Sequence, residues 1–322
     1  MRRRLITSAG LAGVAFVGAD ARDRRAIAAD PLWERLQNPL SGQTRTVLGA
    51  GGTPLHVELY GDPDAPPVVL IHGWTCSARF WRLQVQDLAT DHRVIAYDLR
   101  GHGRSGSPAD GNWSLDTFGA DLEAVLEACV DGPALLAGHS LGAMTIAAWA
   151  GDHDVRGRAR AAALVNTGLG DLISESLLLR TPDRFGSVRQ AIGSVALGAG
   201  VPLPPRPDPV SHRAVRAIAL SKFAGPAAVR YSEQMTLRCK PGVRSGCGRE
   251  LSKMDLVDNV RHLTVPTAVL YGSHDLLTPR AHALRLAEAL PDCEAAVELP
   301  ESGHMGPLER PDEVTAALRA LA

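Results

Sequence analysis

The stretch Leu135–Met144, LLAGHSLGAM, is an apolar run that stops at Gly138, presents His139 and Ser140, and resumes after Gly142. A serine hydroxyl held at such a break is a candidate nucleophile, provided a base can take its proton. Gly138-His139-Ser140-Leu141-Gly142 has the spacing G-x-S-x-G, with a strand-like run before it and a helix-like run after it. In that context a sharp turn lifts the hydroxyl clear of its surroundings. Glycine is required on either side because side chains there would strike neighbouring backbone. The start of the following helix supplies free N–H groups where an oxyanion would form. Read alone, the same pattern also fits an ordinary strand–helix turn with an N-capping serine.

The base is sought among eleven histidines. In the order Ser…Asp…His it comes last, which selects His304, in ESGHMGPLERPDEV, between a final strand-like run and the C-terminal helix pattern. His139 sits inside the turn, its ring directed away from the hydroxyl. His92, His153, His212, His262 and His282 fall beside helices or strand ends and are expected to be solvated. The acid is expected after a strand at the same sheet edge. AVLYGSHDLLTP ends a run at Gly272 and offers Asp275, which would accept from the far imidazole nitrogen and fix its tautomer. Asp275 as a cap for the next helix is the plainer alternative, Asp171 is the second candidate acid, and His274 is expected to be structural or substrate-facing. Together these groups would carry out acyl transfer by nucleophilic attack.

The elements that must position them are legible as alternating runs. TRTVLGAGGTPLHVELYG reads as a hairpin about Ala50-Gly51-Gly52. PPVVLIHG, HRVIAYD, ALLAGHS, AAALVNTG, TAVLYG and AAVELP are short continuous apolar runs, the pattern of parallel strands buried on both faces. Helical patterns lie at Phe80–Ala89, Ser114–Cys129, Leu141–Ala150, Ala281–Leu290 and Pro311–Leu321. Strand–helix alternation predicts an α/β, doubly wound, mostly parallel sheet. The alternation breaks between Leu169 and Asp255, where helical segments and the cluster VPLPPRPDP replace strands. The expected division is a leader and polar connector over 1–43, a core over 44–168 and 255–322, and a mostly helical cap inserted at 169–254.

Composition narrows the classes. A net charge of −1 gives no electrostatic case for nucleic acid. The N-terminus, MRRRLITSAGLAGVAFVGADA, has a basic start, an apolar stretch and an Ala19-Asp20-Ala21 end, which fits a secretory or twin-arginine export signal. It reads equally as an uncleaved or weakly anchoring N-terminal helix, and without export the chain would be cytoplasmic. The scattered Cys76, Cys129, Cys239, Cys247 and Cys293 fit neither a disulfide scaffold nor a zinc site. Pairing of Cys239 with Cys247 is the one bridge considered, against free buried thiols.

LIHGW, YDLRGHGRS, GHSLG, YGSHDLLTP and GHMGPLERPDEV, in that order, are similar to the motifs of the α/β-hydrolase superfamily. More narrowly, the chain resembles serine hydrolases of its lidded esterase and lipase branch, of actinobacterial type. The resemblance covers about Thr44 to Ala322 and implies the α/β-hydrolase fold with a helical cap. It also implies a Ser140, His304, Asp275 triad, with the backbone N–H groups of Trp74 and Leu141 as the oxyanion hole. Trp74 and Met305 would then line the substrate pocket, and Asp98, Arg100 and His102 would be architectural. Leu177, Leu178, Leu179, Phe185, Phe223 and Met235 would line the pocket or pack the cap. The implied activity is cleavage of a small-molecule ester or lipid-like substrate without metal or organic cofactor. Thioesters, lactones and C–C bonds are alternatives on the same machinery, perhydrolysis is a side activity of some relatives, and a non-catalytic ligand-binding member is the remote one.

Overall fold

The computed structural model describes residues 18–179, 193–195 and 198–322. The basic start of the chain and Phe185 lie outside these residues. Eight strands form one sheet: β1 Gln43–Leu48, β2 Pro54–Tyr60, β3 Pro67–Ile71, β4 Arg93–Tyr97, β5 Ala134–His139, β6 Ala159–Val165, β7 Thr267–Gly272 and β8 Cys293–Leu299. Their order is β1-β2-β4-β3-β5-β6-β7-β8, antiparallel over β1-β2-β4 and parallel from β4 onward. The mostly parallel, doubly wound sheet expected from the run pattern is therefore present.

The continuous apolar runs are continuous because both sheet faces are covered. In β3, Val69 and Ile71 join one core, with the helices α4 (Leu115–Cys129) and α5 (Leu141–Asp152). Val68 and Leu70 join the other, with α3 (Arg82–Leu88) and the C-terminal helix Pro311–Leu321. Every residue of α5 from Leu141 to Ala150 is buried, as a helix apolar all round must be. Ser114 caps α4 by accepting from the Thr117 N–H.

The last strand departs from the expected type. β8 is an edge strand with alternating burial, Glu294, Ala296 and Glu298 facing outward. Its small residues fit a half-exposed strand, whose period of two is easily masked when alanine occupies both faces.

The segment expected as a polar connector is folded. Residues 18–29 are helical (α1), and Pro31–Gln37 forms α2 behind the N-cap Asp30. Ile27 and Leu36 are buried. Asp30 Oδ1 accepts from Leu32 N, while Oδ2 accepts from Ala227 N at the start of a distant helix. Sparse apolar residues in a charged stretch hid two short amphipathic helices.

Between β6 and β7 the described residues are chiefly helical: α6 (Pro209–Ala219), α7 (Pro226–Arg238) and α8 (Pro241–Leu251), each opened by proline at its first position. Among the described residues no helix is long and apolar enough to cross a membrane. All five cysteines are free thiols, so Cys239 and Cys247 do not pair.

Candidate active site

Ser140 stands between β5 and α5 with φ 50° and ψ −115°, a conformation that costs free energy for any residue with a β-carbon. It is held from both sides. Its N–H donates to Val165 O (2.9 Å), and its carbonyl accepts from Ala143 N, Met144 N and the Thr167 hydroxyl. The neighbouring glycines are sterically forced: a β-carbon on Gly142 would lie 2.1 Å from Ile71 O, and one on Gly138 2.5 Å from Ala143 N. Leu141 opens α5, so its N–H belongs to the unpaired first turn of that helix.

β3 and β5 are neighbours, with Ile71 opposite Gly138. The chain leaves β3 toward β4 on one side and passes to β5 on the other, so a crevice opens where both strands end. The Trp74 loop therefore lies beside Ser140. Buried His72 fixes that loop by donating from Nδ1 to Gly73 O (2.8 Å) and accepting from Leu99 N at Nε2 (3.0 Å). Asp98 takes the N–H groups of Ala78 and Arg104. Arg100 forms a buried bidentate pair with Asp121 (2.6 and 2.7 Å), and His102 donates to Arg100 O.

Asp275 and His304 meet. His304 Nδ1 donates to Asp275 Oδ2 at 2.8 Å, in a pair with almost no solvent contact. Asp275 also receives the Thr278 hydroxyl on Oδ2, and the Leu277 and Thr278 N–H groups on Oδ1. One carboxylate thus closes its own loop with one oxygen and faces the imidazole with the other. Burial alone would raise Asp275, but the facing imidazole and the Thr278 bonds outweigh it and hold the carboxyl below its usual range. With Nδ1 donating, Nε2 of His304 is the nitrogen left to accept a proton.

Ser140, His304, Trp74, Met305 and His139 all line one cavity of about 720 Å³, walled mainly by apolar side chains. No hydrogen bond links the Ser140 hydroxyl to His304 among the described residues; both groups line the same cavity. Leu178 lines this cavity, Met235 lines a different one, and Phe223 is exposed beside the His274 ring. Asp171, the second candidate acid, is exposed at the start of a single helical turn.

His92, His212 and His282 are buried, not solvated. Each sits where a strand end or helix turns its face to the body, which position in the chain does not reveal. His139 is fully buried, donates to His304 O (2.8 Å), and is driven down to about 3 by burial and by the neighbouring His304 charge, so it is neutral.

Two positioning groups escaped the reading of motifs. Asn166, at the end of β6 with φ 48°, donates both to Asp275 Oδ2 (3.0 Å) and to Gly303 O (3.1 Å). Glu309 takes the N–H groups of Gly303 and Met305, on either side of His304, and that of Ser221 beyond α6. An asparagine directly after a buried strand, and a glutamate in an otherwise apolar turn, were the available signals. Among the described residues no three His, Cys, Asp or Glu side chains cluster so as to hold a metal ion.

Residues 66–311 match the family model described as the alpha/beta hydrolase fold. A non-heme chloroperoxidase of Streptomyces lividans is 30% identical over 252 residues, covering 74% of this chain and 84% of that protein. A 3-oxoadipate enol-lactonase of Acinetobacter baylyi is 22% identical over 287 residues, covering 86% and 96%. Among solved structures, a thermophilic esterase from Thermogutta terrifontis superposes with a TM-score of 0.69 at 23% identity, covering 86% of this chain and 97% of that one.

Proposed function

The chain belongs to the α/β-hydrolase fold family, an enzyme family of hydrolases, and on that premise we propose that it cleaves carboxylic esters through Ser140, His304 and Asp275. The observation that carries this reading is the buried 2.8 Å His304–Asp275 pair, whose imidazole opens into the same apolar cavity as a serine on a strained turn.

In the proposed cycle, Ser140 Oγ attacks the ester carbonyl as its proton passes to His304 Nε2. Asp275, held ionised, stabilises the imidazolium. The N–H groups of Trp74 and Leu141 receive the oxyanion, each such donor being worth about 3 kcal/mol of barrier. His304 returns the proton to the leaving alcohol, then takes one from water, which attacks the acyl-enzyme and releases the carboxylic acid. No metal or organic cofactor enters this scheme. Described residues between β6 and β7, Ile173, Leu178, Leu203, Val215 and Leu251 among them, wall the cavity together with Trp74 and Met305 and act as its cap, so acyl selectivity resides chiefly in the insertion. The substrate is a small ester or lipid-like molecule. The enol-lactonase relative supports lactones as the nearest alternative bond.

The chloroperoxidase relative favours one second reading, perhydrolysis. Hydrogen peroxide would then replace water at the acyl-enzyme and release a peroxyacid.

A fluorophosphonate probe should label the folded protein and fail to label Ser140→Ala, and p-nitrophenyl esters of increasing length should be cleaved only by the unmodified chain. Thioesters, lactones, and acetate with peroxide run alongside would separate the alternatives. Absence of labelling on folded protein overturns the enzyme reading.

A further inference from the structure

A second cavity, of about 700 Å³, lies between residues 36–44, the start of α3, the end of β2 and α7. Four guanidinium groups line it: Arg79, Arg82, Arg104 and Arg238. Arg104 is engaged by Glu58 (3.5 Å). Arg79, Arg82 and Arg238 have no carboxylate partner among the described residues, yet all three lie close enough to the Tyr231 phenol to act on it electrostatically. Arg82 donates one nitrogen to Asn38 O, while its Nε is buried with no hydrogen-bond partner.

The two carboxylates in the chamber are already taken. Glu58 receives the Tyr60 hydroxyl (2.7 Å) and faces His56 and Arg104, and Asp98 receives two backbone N–H groups. Positive charge is therefore in excess here, in a chain whose net charge is −1. Leu36, Leu40 and Met235 supply apolar wall beside it.

We propose that this chamber is a second small-molecule site, one that binds an organic oxyanion, carboxylate or phosphate, through Arg79, Arg82 and Arg238. Guanidinium groups left without a carboxylate partner in a concave site are satisfied by such a group in charge-assisted, often paired, hydrogen bonds. The chamber is separate from the Ser140 cavity: Cys76 and Met235 face the chamber, while their chain neighbours Thr75 and Thr236 face the cavity, their hydroxyls 3.5 Å apart. The site stands whether or not Ser140 is a nucleophile.

The test is thermal unfolding of the full chain titrated with sodium phosphate or sodium benzoate, with sodium chloride holding ionic strength constant. A saturable rise in melting temperature with either anion is expected, phosphate or benzoate dominance telling which class the site takes. Arg79 and Arg238 are exposed, so R79Q/R238Q should melt unliganded near the parent and bind the anion about tenfold or more weakly. The single charge reversal R238E gives the same readout should the double variant melt low. No rise beyond the chloride control, or an equal rise in the variants, overturns the proposal.

Discussion

Lowering the pH from 7 to 5 should destabilise the protein through three imidazoles that fold neutral. Burial is the main cause in each: His72 is driven down to about 4, and His102 and His139 to about 3, from the ordinary 6.5. Unfolding frees them to protonate near 6.5, so their contribution is intact above that pH and is lost as the pH falls toward their folded values. At about 1.4 kcal/mol per pH unit, each loses about 1.8 kcal/mol between pH 7 and 5, and the three together about 5 kcal/mol. Buried Asp98, Asp121 and Glu309 are raised by desolvation and oppose this, because the native state takes up their protons first. Asp275 is lowered, so its contribution is lost only below its ordinary 3.8, outside the window. A single substitution isolates one imidazole, since the carboxylate terms cancel between variant and parent. His102 is fully buried, away from Ser140, with one bond from Nδ1 to Arg100 O; a glutamine amide can keep that bond without titrating. Urea unfolding followed by tryptophan fluorescence at both pH values should show H102Q losing about 1.8 kcal/mol less than the parent on acidification. Equal losses in the two proteins would refute the reasoning, whatever their absolute stabilities.

Three further outcomes are expected. N166G keeps the left-handed backbone but removes the donors to Asp275 and Gly303 O, so ester turnover should fall on the order of tenfold to a hundredfold in kcat, with KM little changed. G142A forces a β-carbon against Ile71 O and should cost roughly 3 kcal/mol by urea unfolding, near the upper end of overpacking effects. R100M strands the buried Asp121 carboxylate and should cost about 3–5 kcal/mol, whereas R100M/D121L should unfold at higher urea than R100M.

The sheet was readable because burial on both faces writes itself as uninterrupted apolar runs. Pro67–Ile71 and Ala134–His139 stand out for that reason, and the glycines beside Ser140 for a steric one. β8 was readable as a strand but not as an edge, since alanine fits either environment. The proximity of Asp275 to His304 depends on β7 and β8 pairing in parallel, which brings the loops after them together. Spacing along the chain carries no such information, and order and motif supplied it instead. Asn166 and Glu309 left only faint signals, for a related reason. Asn166 reaches Gly303 O and Glu309 receives Ser221 N, backbone groups remote in sequence that leave no trace in residue type.

The double role of Asp30 bears on where this molecule physically starts. The family model's match begins at residue 66, yet one carboxylate at residue 30 caps the start of its own helix and braces the start of α7, whose far end forms part of the arginine chamber. A shortened version trimmed to the shared family region would discard the brace for that helix along with Leu36 and Leu40. The start of the family model's match and the start of the braced structure differ by about thirty-five residues here, and engineering that respects only the first would dismantle a wall of the structure it means to isolate.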